Sequence, residues 1–236
     1  MQVLDTVKFS YQLCKGTVDH RKQRAFNLLK LFNEKLDDEF LKSKQLTPKK
    51  VEKLIYEVLP EKNICFSVEK SPECENCFSY YSDLKNQILT FLIELKTNSR
   101  NKLDKKDKNS ILHETWHLFE TLLNPKYTAR NQSFSDLELD KYYSFYEKYL
   151  YPGKNYPKEA ISINLNSFIK KFNTEKQLHI LQSLRYDLIG ELNAYTVANN
   201  FAPENLDICK CYKFEEKINL ITDLFKEIIR AHKNKN

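Results

Sequence analysis

Three glycines and seven prolines are very few for 236 residues. A chain so poor in turn formers, and rich in Leu, Lys, Glu and Asn, favours long helices joined by short connections. The expected fold class is therefore mainly α with a minor β component, an α+β protein. The length suits one large domain or two small ones, either with ample room for a buried core. No internal repeat, low-complexity tract or Gly/Pro cluster marks a boundary, so a single domain over residues 1–236 is the expectation.

Periodicity places the elements. From Asp19 to Ser43, Phe26, Leu29, Phe32, Leu36 and Phe40 recur at spacings of three and four, which indicates a long amphipathic helix. Thr47-Pro48 opens a second helix, with Thr47 as cap and proline in the first turn, ending near Pro60. Ile64 to Val68 alternates and predicts a short strand, whereas Ser79 to Lys96, rich in Leu and Ile, reads as helix. Asn109 or Ser110 can cap a helix that runs to about Asn124 and stops at Pro125; Lys126 to Phe134 lacks period and reads as a loop. Ser135 to Glu138 forms a capping box for a tyrosine-rich helix reaching about Tyr149. Tyr151 to Lys158, with Pro152, Gly153 and Pro157, is a turn region, and the alternation of Ala160 to Leu165 predicts a second strand. Thr174 to Gln177 is another capping box, for a helix to about Asn200, and the last helix spans Phe214 to Ala231.

The net charge of +6 is moderate, and lysines alternate with acidic residues. The densest basic stretch, Lys96 to Lys108, includes two aspartates and reads as a solvated loop. No basic stripe gathers on one face, so nucleic acid is not an expected partner. Neither is a membrane: the longest apolar run, Ile88 to Leu95, is short and contains Thr90 and Glu94. The start lacks a basic region followed by a continuous apolar core. The expected product is soluble and cytoplasmic, or exported by a route without a cleaved N-terminal signal.

Two of the five histidines bracket a glutamate in His113-Glu114-Thr115-Trp116-His117. On a helix, positions i and i+4 stack on one face, so both imidazoles can reach one metal ion. A glutamate directly after the first histidine is placed to hold and deprotonate a metal-bound water. Leu112, Trp116, Phe119 and Leu123 form an apolar stripe beside the more polar His113, His117 and Thr121, so the helix can face a core and a cleft at once. The five residues resemble the H-E-x-x-H motif of the zincin superfamily of zinc metallopeptidases. That resemblance implies a Zn2+ cofactor held by His113 and His117, with Glu114 as general base.

The metzincin continuation is absent, because Glu120 stands at its glycine position and Leu123 at its last ligand. The helix from Thr174 carries Asp187, Glu191 and Tyr195 on one face, at i, i+4 and i+8. Glu191-Leu192-Asn193-Ala194-Tyr195 is similar to the third-ligand helix of gluzincins, which implies Glu191 as third ligand and an active-site helix packed against this second one. Gly190 and Ala194 would permit the close approach, and Asp187 would orient a ligand histidine. Thermolysin-like gluzincins have an aspartate where Tyr195 stands, so the reverse assignment, Asp187 as ligand and Glu191 behind it, stays open, as does a merely solvated acidic face. Glu120 is a further candidate beside the histidines. Tyr186, Tyr195 and His179 are candidate donors to the oxyanion of a peptide substrate; His20 and His232 read as surface residues.

Of the six cysteines, Cys74-x-x-Cys77 and Cys209-x-Cys211 could clip a second zinc, although the second spacing is one residue short. With Cys14 and Cys65, these are otherwise expected as reduced thiols, with disulfides among the six as the other alternative. The leading expectation is a small zinc metalloendopeptidase acting on a protein or peptide substrate, of a kind that would suit a protease toxin delivered into another cell. Two competing readings are a zincin-like metal-binding module without proteolysis, and a helical interaction protein whose His113 and His117 meet no metal.

Overall fold

The computed structural model describes residues 18–59, 65–71, 76–83, 88–123, 134–151, 154–203 and 212–233. It is mainly helical with a small mixed sheet, the α+β class expected from composition. Two compact units emerge: Met1–Thr128 with Val197–Glu204, and Ala129–Thr196 with Asn205–Asn236.

In the first unit, helix α1 (Val18–Lys42) buries the expected stripe of Leu29, Phe32, Leu36 and Phe40. Complete burial of such side chains contributes roughly 1.5–3 kcal/mol each. Strand β1 (Gln45–Leu46) leads into α2 (Pro48–Val58), where Thr47 Oγ1 accepts from Lys50 N at 3.2 Å, the cap that the sequence indicated. Helix α2 packs on β2 (Cys65–Lys70), and buried Glu52 accepts from Val68 N at 3.0 Å.

Ser79 to Lys96 is not a helix. It contributes most of β3 (Cys77–Asp83) and all of β4 (Ile88–Leu95). The sheet has the order β2-β4-β3, with β4 parallel to β2 and antiparallel to β3. Phe91, Ile93 and Leu95 are buried while Leu92 and Glu94 are only half-buried, so the run alternates with a strand's period of two. Its Leu and Ile content suited either structure, and pairing on both sides of β4 decided it.

The basic stretch is only partly loop. Asn98 Oδ1 accepts from Arg100 N and Lys102 N, both at 3.0 Å, and β5 (Leu103–Asp104) pairs antiparallel with β1. A single 3-10 turn (Lys105–Asp107) then starts helix α3 (Lys108–Leu123), so neither Asn109 nor Ser110 is its cap. Asn109 instead donates to Asn199 Oδ1 and Ala202 O, both at 2.7 Å.

The second unit has its own core. Tyr142, Phe145 and Leu150 pack with Ile161, Leu165, Leu181, Leu184, Leu188, Phe214 and Ile221. Helix α4 (Asp136–Phe145) begins with the expected Ser135–Glu138 capping box, Ser135 N donating to Glu138 at 2.8 Å, and continues as one π turn (Tyr146–Leu150). Ala160 to Leu165 is not a strand but part of α5 (Lys158–Ile169). Ile161, Leu165, Phe168 and Ile169 are buried at helical spacing, whereas Ile163, inward in a strand reading, is 69% exposed.

Helix α6 (Thr174–Phe201) is capped by Asn173, whose Oδ1 accepts from Lys176 N at 2.9 Å, rather than by Thr174. Helix α7 (Phe214–Lys233) closes the unit against α5. Among the described residues, no helix is long and apolar enough to cross a membrane. Cys65 is exposed with a free thiol, and Cys77 Sγ donates to Glu94 Oε2 at 2.9 Å. Cys14, Cys74, Cys209 and Cys211, and most of the Lys126–Phe134 segment, lie outside the described residues.

Candidate metal centre

Helix α3 forms where the sequence indicated, and its apolar stripe is fully used: Leu112, Trp116, Phe119 and Leu123 are all buried. Burial extends beyond that stripe. Helix α3 packs on α1 and also on β3 and β4, and His113, Glu114, Glu120 and Thr121 are buried as well. His117 is half-buried, with its ring stacked on Phe78 of β3 at 6.0 Å and 19°. Phe78 stacks in turn on Phe91. A side chain held between a strand and its own helix keeps its ring orientation, as a ligand requires.

The four-residue spacing brings the imidazoles edge to face, with ring centroids 4.8 Å apart and Nε2 3.2 Å from Nε2. Two nitrogens each about 2.0–2.1 Å from a tetrahedral zinc stand roughly 3.3–3.4 Å apart. The pair already spans nearly that edge. Glu114 Oε1 lies 4.0 Å from His113 Nε2, and both residues are only 6% exposed.

Glu191, on α6, completes a group with His113 and His117: one ligand atom from each lies within 4.8 Å of the others, and the three could hold a metal ion. Two imidazole nitrogens and one carboxylate oxygen form a donor set that zinc accepts. Gly190 and Ala194, flanking Glu191 on α6, are buried, so side-chain bulk is small beside it.

The other sequence candidates are placed differently. Asp187, one turn before Glu191, is not in that group; it accepts a hydrogen bond from the Tyr142 hydroxyl of α4. Tyr195 packs against the rings of Tyr212 and Phe214, at 5.5 and 5.9 Å. Tyr186 is exposed, and the His179 ring lies 4.9 Å from Phe134. His20 and His232 are exposed, as expected of surface residues.

Tyr146 is a group that sequence reasoning passed over. It opens the π turn after α4, is 9% exposed, and its hydroxyl is buried without a hydrogen-bond partner among the described residues. Burial above all, and then the negative charges of Glu191 and Asp187, push its pKa well above the ordinary phenol value, so it stays a proton donor. The available signal was spacing: Tyr142 and Tyr146 on one helix are four apart, as are Asp187 and Glu191 on another.

No protein-family model, no curated protein and no solved structure matches this chain.

Proposed function

We propose that the protein is a zinc-dependent metallopeptidase of gluzincin type, with His113, His117 and Glu191 as ligands and Glu114 as general base. The observation that carries this reading is the convergence of two imidazoles and one carboxylate, remote in sequence, within 4.8 Å. A chance H-E-x-x-H on an ordinary helix has no reason to find a third ligand from a distant element. When bound, zinc supplies a water of lowered pKa and a Lewis acid for the substrate carbonyl.

The remaining work belongs to the chain. Glu114, buried beside His113, takes the proton from that water and returns it to the leaving amine. Phe78 holds the His117 ring by stacking. Tyr142 holds Asp187 one turn below Glu191, which favours Glu191 over Asp187 as the ligand.

Protein purified without a histidine tag is expected to carry stoichiometric zinc and to generate new peptide termini in a denatured cell extract, read by mass spectrometry. His117→Ala should lose the zinc. Glu114→Gln should retain it and cleave about 10²–10⁴-fold more slowly, the usual contribution of a positioned acid–base group. Wild type that generates no more termini than Glu114→Gln contradicts the peptidase reading, and zinc content indifferent to His117→Ala contradicts the site.

A further inference from the structure

We propose that a cavity in the first unit binds a small organic anion with an apolar body, of the class of aryl and medium-chain alkyl carboxylates. This site is separate from the metal centre and does not rest on the peptidase reading. The cavity has a volume of about 570 Å³, inside the range of small-molecule sites, where apolar walls carry a few converging polar groups. Every residue that lines it belongs to the first unit.

Three segments build it. Helix α1 supplies Phe40 and Leu41, the turn before α3 supplies Lys105 and Lys106, and the end of α6 supplies Phe201 and Pro203. Hydrogen bonds between these segments hold the walls in place. Lys108 Nζ donates to Asp37 Oδ1 at 2.6 Å and ties α3 to α1. Asn109 Nδ2 donates to Asn199 Oδ1 and Ala202 O, both at 2.7 Å, and ties α3 to the end of α6. Lys108 is 8% exposed and Asn109 4%, so these are buried joints. Phe201 is held further by the Phe26 ring, 5.4 Å away between centroids. A pocket shaped in advance spares its ligand the cost of ordering it.

Charge selects the occupant. Lys108 is neutralised by Asp37, but Lys105 and Lys106 have no ion-pair partner among the described residues. The aspartates of the same turn do not line the cavity: Asp107 accepts from Asp104 N, and Asp104 from Gln45 Nε2, each at 2.7 Å. Beside the two ammonium groups stand apolar surfaces that water still reaches, since Leu41 is 82% exposed and Phe201 is half-buried. An anion with an apolar body satisfies both features at once. A cation meets repulsion there, and a neutral apolar molecule leaves the ammonium groups unused.

The test is a titration of the full, folded chain with anilinonaphthalene sulfonate, an anionic dye that brightens on apolar surfaces. The comparison is N-phenylnaphthylamine, the same ring system without the sulfonate. Wild type should bind the sulfonate more tightly than the neutral dye, and octanoate should displace it. Lys105→Gln/Lys106→Gln should weaken the sulfonate by about tenfold, as for loss of two exposed charge pairs, and leave the neutral dye unaffected. Leu41→Asp should weaken both dyes. All three side chains are exposed, so these variants should unfold at the wild-type temperature. His117→Ala should bind both dyes as wild type does.

Sulfonate binding unchanged in Lys105→Gln/Lys106→Gln places the dye elsewhere and overturns the proposal. Equal affinity of wild type for the two dyes overturns it as well, as does octanoate that fails to displace the sulfonate. Loss of sulfonate binding in His117→Ala assigns the anion to the metal centre and removes this site.

Discussion

At the scale of single residues, the centre depends on which carboxylate of α6 meets the imidazoles. Glu191 stands in the group with His113 and His117, and Asp187 is engaged by Tyr142. Glu191→Gln is therefore expected to abolish stoichiometric zinc, while Asp187→Asn should lower affinity by about 10–100-fold, the usual cost of losing an orienting partner. Titration against a fluorescent zinc chelator measures both. Equal losses, or a greater loss for Asp187→Asn, would reverse the assignment. The approach of His113 to His117 was legible in the sequence because a four-residue spacing stacks two side chains on one helix face. Tyr146 was not, because composition and spacing do not say whether a hydroxyl in a core finds a partner. That depends on packing between α4 and α6.

Among the elements, the helices with a clear 3.6-residue stripe or a cap were legible to within a residue or two, as α1, α2, α4 taken with its π turn, and α7 illustrate. The misread elements are those whose local preference was weak. β4 is Leu/Ile-rich and needed strand partners on both sides to declare itself, and α5 imitates alternation over six residues while burying a helical face. A charged residue inside the second unit's core also escapes sequence reading. Lys217 of α7 is 2% exposed and donates from Nζ to Leu150 O at 3.0 Å and Tyr151 O at 3.5 Å, capping the π turn.

Burial lowers the pKa of Lys217 from the usual 10.5 to about 8; Glu216 partly opposes this and Lys213 adds to it. Below about pH 8 folded and unfolded chains both carry the proton, and the desolvation cost is fully present. Between about 8 and 10.5 the folded chain has shed that proton and the unfolded chain has not, so this group's contribution to stability rises with pH. Urea unfolding at about pH 7 and about pH 9.5 should show wild type gaining stability relative to Lys217→Met at the higher pH. A constant difference between the two proteins would contradict the lowered pKa that burial gives Lys217.

For the whole molecule, composition sufficed for the class: few glycines, long helices and, among the described residues, two small sheets. The two units are not marked in the sequence by any Gly/Pro-rich linker, and α6 itself supplies residues to both. Within this fold the central claim is that two imidazoles and one carboxylate hold the metal, and not the paired cysteines. X-ray absorption at the zinc edge of the intact, untagged protein tests it most directly. The account predicts a shell of nitrogen and oxygen at about 2.0–2.1 Å, with imidazole outer-shell scattering lost in His117→Ala. A sulfur shell at about 2.3 Å, or a spectrum unchanged by that substitution, would contradict it.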